Sequence, residues 1–161
     1  MKFEIQEVEE KNKDVIYNLM QLYTYELSFF EDETTDFKLL DSGLYLMSKY
    51  VGMYWTSDKR HPYILKCDNE LAGFVLERYN EENMNEIAEF FVLNKYRRSG
   101  AGKFMANKMF ELYEGPWEVR TLLKNKRAQD FWRTVIKEYS NNNFEEKLIR
   151  DKTRLAFYFE S

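Results

Sequence analysis

The stretch EFFVLNKYRRSGAGKFMA, Glu89 to Ala106, joins an apolar run to an amphipathic one through a basic turn that contains glycine. Lys95, Arg97, Arg98, Lys103, Gly100 and Gly102 fall within Asn94–Lys103, where there is no acidic residue. Upstream, MNEIAEFFVL (Met84 to Leu93) reads as a strand. Downstream, Ala101, Met105, Lys108, Met109 and Leu112 share one helical face. A strand that runs through such a turn into a helix presents unpaired N–H groups and the positive end of the helix dipole, a setting for an anion. The glycines let an anion approach the backbone, and the arginines can fork onto phosphate oxygens.

Two nucleotide motifs are excluded at once. In the P-loop pattern G-x-x-x-x-G-K-[ST], Gly102 and Lys103 match, but Arg97 stands at the first glycine and Phe104 at the hydroxyl that would ligate magnesium. The dinucleotide pattern G-x-G-x-x-G fails at Met105, where the third glycine belongs. What remains is Arg-x-x-Gly-x-Gly, Arg97 to Gly102, between a strand and a helix.

Elsewhere, Phe3, Ile5 and Val8 suggest a first strand. Ile16, Leu19, Met20, Tyr23, Leu27 and Phe30 recur at helical spacing from Asp14 to about Phe30. After the polar EDETTD (Glu31 to Asp36), Leu40, Leu44, Met47 and Val51 predict a second, shorter helix. PYILKC and LAGFVLERY around the turn DNE read as a hairpin, and WEVRTLL as a later strand. Ala128, Phe131, Trp132, Val135 and Ile136 form a helical stripe, and FEEKLIR and TRLAFYFE close the chain as two strands. The order β-α-α-β-β-β-α-β-α-β-β, with no repeat or linker, predicts one α+β or mixed α/β domain over residues 1–161.

Placed in this order, Arg97–Gly102 and the later NKRAQDFW, with Asn125, Ala128 and Phe131, resemble the GNAT (Gcn5-related N-acetyltransferase) family. AEFFVLNKYRRSG, WEVR and AQDFWR are particularly like a bacterial branch of predicted acetyltransferases. The resemblance implies a central, mixed but mostly antiparallel, twisted sheet of about seven strands with about four helices, strands 4 and 5 splaying apart. It also implies acetyl-CoA as co-substrate and no metal. The backbone amides of Arg98, Ser99, Gly100, Ala101, Gly102 and Lys103 would face its pyrophosphate, behind Arg97. The backbone of Phe91, Val92 and Leu93 would pair with the pantetheine arm, as a sheet edge pairs with an extended ligand. Asn125 would bond that arm, with Ala128 and Phe131 beside it. Lys124, Lys126 and Arg127 form a second basic cluster, facing the outer phosphates or merely solvent.

An amine must lose a proton to attack a thioester, which calls for a general base, and the developing oxyanion for an N–H, for which Val92 is the family-like candidate. Glu86 and Glu89 lie on the splayed strand. Glu86 stands six residues before Val92, the spacing of the glutamate base in the histone-acetyltransferase branch, and ranks slightly first. Strict alternation puts the two on opposite faces, whereas a bulge in the strand would change that parity. Where many relatives carry a tyrosine that protonates the leaving thiolate, this chain has Trp132, on the apolar stripe of its helix; indole cannot serve. The resemblance therefore implies an N-acetyltransferase acting on a primary amine of a small molecule or peptide. The alternative is an acyl-CoA-binding sensor or regulatory module with impaired catalysis.

Composition fits these readings. The chain has 161 residues, 44% hydrophobic, 32% charged and 17% aromatic, with a net charge of −4, which disfavours general nucleic-acid binding. No apolar run is long enough to suggest a membrane partner, and MKFEIQEVEE does not read as a secretory signal. With one cysteine, Cys67, a reducing, cytoplasmic setting is expected; a homodimer is compatible with the resemblance. His61 is the only histidine and reads as structural. EDETTD, with Tyr23, Tyr25, Phe29 and Phe30 beside it, lies where the family builds its acceptor site, and core packing is expected to account for most of those aromatics.

Overall fold

The computed structural model describes residues 1–161. Seven strands form one sheet: β1 (Phe3–Glu7), β2 (Arg60–Cys67), β3 (Glu70–Tyr79), β4 (Asn85–Val92), β5 (Pro116–Leu122), β6 (Phe144–Ile149) and β7 (Arg154–Glu160). Three helices complete the fold: α1 (Asp14–Leu27), α2 (Ala101–Leu112) and α3 (Lys126–Tyr139). The strand order is β1-β2-β3-β4-β5-β7-β6. Every neighbouring pair is antiparallel except β4 and β5. The β2–β3 hairpin turns at Asp68 and Asn69, with φ of 49° and 68°, the left-handed pair that matches strand twist.

Helices cover both faces. On one, α2 and α3 bury Met105, Met109, Phe110, Trp132 and Ile136 with Trp117, Val119 and Phe157 of the sheet. On the other, Ile16, Leu19 and Met20 of α1, with Val51 and Tyr54, pack on Phe74, Leu76 and Phe91. That second core is smaller and sits over β3 and β4, so the same face of β5 and β7 carries polar side chains such as Glu118, Arg120 and Tyr158.

The helix expected over Leu40–Val51 does not form, and the fold has three helices where four were expected. The segment holds a single bridge between Leu39 and Tyr45 and a 3₁₀ turn over Val51–Trp55. Gly43 is left-handed at φ 79°, and Leu39, Leu40 and Leu44 are exposed while Met47 and Val51 pack on the smaller core, so only the end of the apolar pattern finds a surface to bury against. Gln21 of α1 clamps this segment through both its amide atoms to the backbone of Tyr45, at 3.0 and 2.8 Å. Helix α1 stops at Leu27, and a 3₁₀ turn carries Ser28–Phe30. Tyr25 and Phe29 stack edge to face but are 59% and 71% exposed, so core packing does not account for them. Tyr23 does pack inward, on Phe74 and Phe91.

Two irregularities in β4 shape the site. Its parallel pairing with β5 covers only Asn85–Ile87 against Trp117–Val119, so from Ala88 onward β4 has β3 on one side and no strand on the other. The β3–β4 register also shifts, with Leu76 opposite Glu89 but Glu77 opposite Ile87. Ala88 is the extra residue, a β-bulge.

Candidate active site

The turn after β4 forms as a 3₁₀ turn over Asn94–Tyr96, then Arg98 at φ 62° and Gly100 at φ 91°, opening α2 at Ala101. Ser99 donates to the Tyr96 carbonyl at 2.6 Å and weakly caps the Ala101 N–H at 3.4 Å. The first bond of the helix ladder runs from the Phe104 N–H to the Gly100 carbonyl. The N–H groups of Arg98, Ser99, Gly100, Gly102 and Lys103 have no protein acceptor. These are donors the sequence assigned to a pyrophosphate, and the loop leaves them without a protein partner. Of that set, the Ala101 N–H is the one already occupied. A Cβ on Gly102 would stand 3.1 Å from Phe131 and 3.7 Å from Val92, so the glycine lets α2 start against α3 and β4.

The expectation that the Phe91 backbone faces the splay is corrected by the register. Leu93 N–H donates to the Ala72 carbonyl, which makes Gly73–Val92 a non-hydrogen-bonded pair and Phe74–Phe91 the bonded pair. The polar groups of Phe91 therefore face β3, whereas those of Val92, and by alternation Phe90, face the gap. The Val92 carbonyl there accepts from Arg97 Nε at 2.8 Å. Arg97 also grips Glu26 of α1 in two parallel bonds of 2.6 Å, and Arg127 of α3 reaches the same carboxylate at 3.1 Å. Lys124 donates to the Glu31 carbonyl, while Lys126 is exposed.

The bulge at Ala88 resolves the two glutamates. It restores their parity, and Glu86 and Glu89 both lie on the α1 face, opposite Arg78 and Leu76. Glu86 is buried and fully engaged: Arg78 donates to it at 3.1 and 3.2 Å, and Asn80 Nδ2 at 3.2 Å. Glu89 has no such clamp. Burial pushes its carboxyl up to about 7, with the Glu86 charge adding to the rise; the facing Tyr23 hydroxyl and Arg78 oppose it. In turn, burial and the Glu89 charge hold Tyr23 and Tyr54 well above the usual phenol range.

Asn125 caps α3, its side-chain oxygen accepting from the Ala128 N–H at 3.0 Å, which leaves its amide NH₂ to a ligand. Phe131 packs on Phe90, on the face of β4 that α2 and α3 cover. Trp132 is 5% exposed and stacks edge-on against Phe90 and Phe131. No hydroxyl stands at that position, and Tyr139 packs on Phe110 and Phe159. His61 stacks on Tyr113, and burial lowers its pKa; Cys67 is buried.

The sequence reading missed Glu26, Arg78 and Asn80, and named Tyr23 only as an aromatic beside EDETTD. None has a local signal: Glu26 meets Arg97 across 71 positions, and Arg78 meets Glu86 only through strand register.

A strand splayed from its parallel neighbour, running into amides without protein acceptors, is the arrangement the sequence resemblance implied. The chain belongs to the acetyltransferase (GNAT) family, whose model matches residues 16–135. It is similar to an acetyltransferase from Thermus thermophilus, at 11% identity and a TM-score of 0.71, over 100% of this chain and 98% of that one. It is similar to a Bacillus anthracis acetyltransferase in complex with acetyl coenzyme A, at 16% identity and a TM-score of 0.61, over 100% and 99%. A third likeness is the ribosomal-protein-S18-alanine N-acetyltransferase of Escherichia coli, at 13% identity and a TM-score of 0.60, over 98% and 91%. No curated protein matches the sequence significantly. The co-substrate of the family is acetyl-CoA, and the activity of the family is acetyl transfer.

Proposed function

We propose that this protein is a single-domain N-acetyltransferase in which Glu89 is the general base. The observation that carries the reading is the position of Glu89: unclamped, pushed up to about 7, and on the strand whose free edge begins at Ala88. A base with that pKa holds a useful fraction of carboxylate at neutral pH and still accepts a proton from an ammonium. Bound acetyl-CoA supplies the activated acetyl group. The amides of Arg98, Ser99, Gly100, Gly102 and Lys103 hold its pyrophosphate, and Gly102 and Phe131 shape the gap beside it. Val92 N–H faces the gap as the candidate oxyanion donor. Glu86 orients Arg78 rather than taking a proton.

The acceptor is a primary amine of a small molecule or peptide. A panel of amines with acetyl-CoA, followed by release of free thiol, tests the reading; Glu89→Gln should lose turnover while retaining acetyl-CoA binding. One observation favours a second reading, an acyl-CoA sensor with impaired catalysis: Trp132 is locked in the core and α3 offers no acid for the thiolate. Turnover of any amine that depends on Glu89 eliminates the sensor.

A further inference from the structure

On the α1 face of the sheet, beyond Glu86, a cavity of ≈ 250 Å³ is lined by Arg60, Arg78, Arg120 and Arg150, with Asn80 and the turn residues Glu81 and Glu82. Beneath it runs a buried network. Asn80 Nδ2 donates to Glu86 at 3.2 Å and to Glu118 at 3.4 Å, and Tyr158 donates to Glu118 at 2.6 Å. Arg120 Nη2 meets Glu118 at 2.6 Å, and Arg78 is forked onto Glu86. The acidic side chains of this floor are thus saturated by donors, and two of the guanidinium groups are held rigidly by them.

Three features are left over. Arg120 Nε is buried with no acceptor. Arg60 has no carboxylate partner and is held half-buried against the rings of Tyr50 and Tyr54. Arg150 has no carboxylate partner either, on the β6–β7 turn, where its φ is 49°. Glu81 and Glu82 are exposed, in an exposed turn, and bond to none of these arginines. Two guanidinium groups without a carboxylate partner, Arg60 and Arg150, beside a buried Arg120 Nε without an acceptor, match an oxyanion such as carboxylate or phosphate.

The cavity adjoins the proposed catalytic carboxyl. Arg78 is opposite Glu86 and Leu76 is opposite Glu89, so the two positions lie two residues apart on β3, ~7 Å along the strand. We infer that this cavity is an anion subsite of the acceptor site, and that the acceptor carries a carboxylate or phosphate several bonds from the amine it presents to Glu89. The inference rests on the acetyltransferase reading for the amine end only. The arginine subsite binds an oxyanion whether or not Glu89 performs catalysis.

The test has two arms. In the first, matched acceptors are compared with acetyl-CoA and the full chain: 6-aminohexanoate and 5-aminopentyl phosphate against hexylamine and 5-aminopentanol, with 1,6-diaminohexane as the doubly cationic control. Charge-assisted hydrogen bonding predicts kcat/KM at least about tenfold higher for the anion-bearing member of a pair. Whether carboxylate or phosphate gains more identifies the source of the oxyanion. Equal rates within both pairs, or a preference for the diamine, overturns the inference while leaving the acetyltransferase reading intact. In the second arm, inorganic phosphate and acetate are titrated into the protein by calorimetry, without acetyl-CoA. Saturable binding weakened about tenfold in Arg150→Gln, whose side chain is exposed and supports no core contact, upholds the subsite even if no amine turns over. Absence of such binding, or binding unchanged in both Arg150→Gln and Arg60→Gln, overturns it. Loss of acetyl-CoA binding with retained phosphate binding would sink the acetyltransferase reading alone.

Discussion

Glu86 and Glu89, three positions apart on β4, share one face of the sheet because Ala88 bulges between them. Their environments push them into different roles: Arg78 and Asn80 saturate Glu86, while burial lifts Glu89 to about 7. The rate of acetyl transfer should therefore rise with pH as Glu89 loses its proton, with a break near 7. Glu89→Gln should abolish that break and lower kcat by ~10²-fold or more. Glu86→Gln should retain a break but move it to lower pH, since the Glu86 charge no longer raises Glu89, and should lower stability because it frees Arg78. Profiles of kcat/KM against pH, recorded with one amine for the three proteins, separate these outcomes.

Gly102 and Gly100 should fail differently. Gly102→Val places methyl groups where Phe131 already stands 3.1 Å from a bare Cβ. Acetyl-CoA affinity should fall about tenfold or more, at a stability cost of ~1–3 kcal/mol for overpacking. Gly100 has open space, its nearest neighbour being Phe3 at 3.9 Å, but holds φ 91°. Gly100→Ala should cost ~1–2 kcal/mol through backbone strain alone. Calorimetric binding and denaturant melts of both variants measure the contrast.

Glu26 occupies two guanidinium groups that a phosphate of the proposed co-substrate would otherwise attract. It accepts from Arg97 and Arg127, both at the mouth of the gap. Glu26→Gln should tighten coenzyme A binding by about threefold at low salt, a gain that shrinks as ionic strength rises and screens the charges. Titrations at two salt concentrations read the effect. Weaker binding in the variant would show instead that Glu26 positions Arg97 for the ligand.

Glu77, under the opposite face, sets a pH dependence of stability. It is 1% exposed, neither carboxylate oxygen has a hydrogen-bond partner, with His61 Nε2 standing 3.9 Å away, and burial, then the Glu86 charge, pushes it up to about 8 from 4.5. Its folded pKa lies above its unfolded one, so its contribution is full below about 4.5 and is lost as pH rises through about 8. Wild-type stability should decline by a few kcal/mol between pH 5 and about 9. Glu89, raised in the same direction, contributes to the same decline. Glu77→Gln should flatten most of the curve, as urea melts across that range will show.

The anion-binding turn was legible in the sequence because its causes are local: a strand end, glycines at Gly100 and Gly102, and a helix start whose N–H groups have no partners. The hairpin, α3 and the closing strands were legible for the same reason, as was the burial of Trp132 on its stripe. The Leu40–Val51 pattern misled because spacing makes a helix only where a surface exists to receive its apolar face, and here α1 already covers that part of the sheet.

Residue type and short spacing were enough to name the family, the candidate loop and both candidate carboxylates. Which of the two is bonded by Arg78 and Asn80, and which is left without them, is set by the packed sheet. That choice follows from one extra residue in β4, from Arg78 reaching Glu86 across the strand, and from Phe91 turning its backbone to β3 while Val92 turns to the gap. Strand register and burial are properties of the packed sheet, and a side chain acquires its partner and its pKa only there.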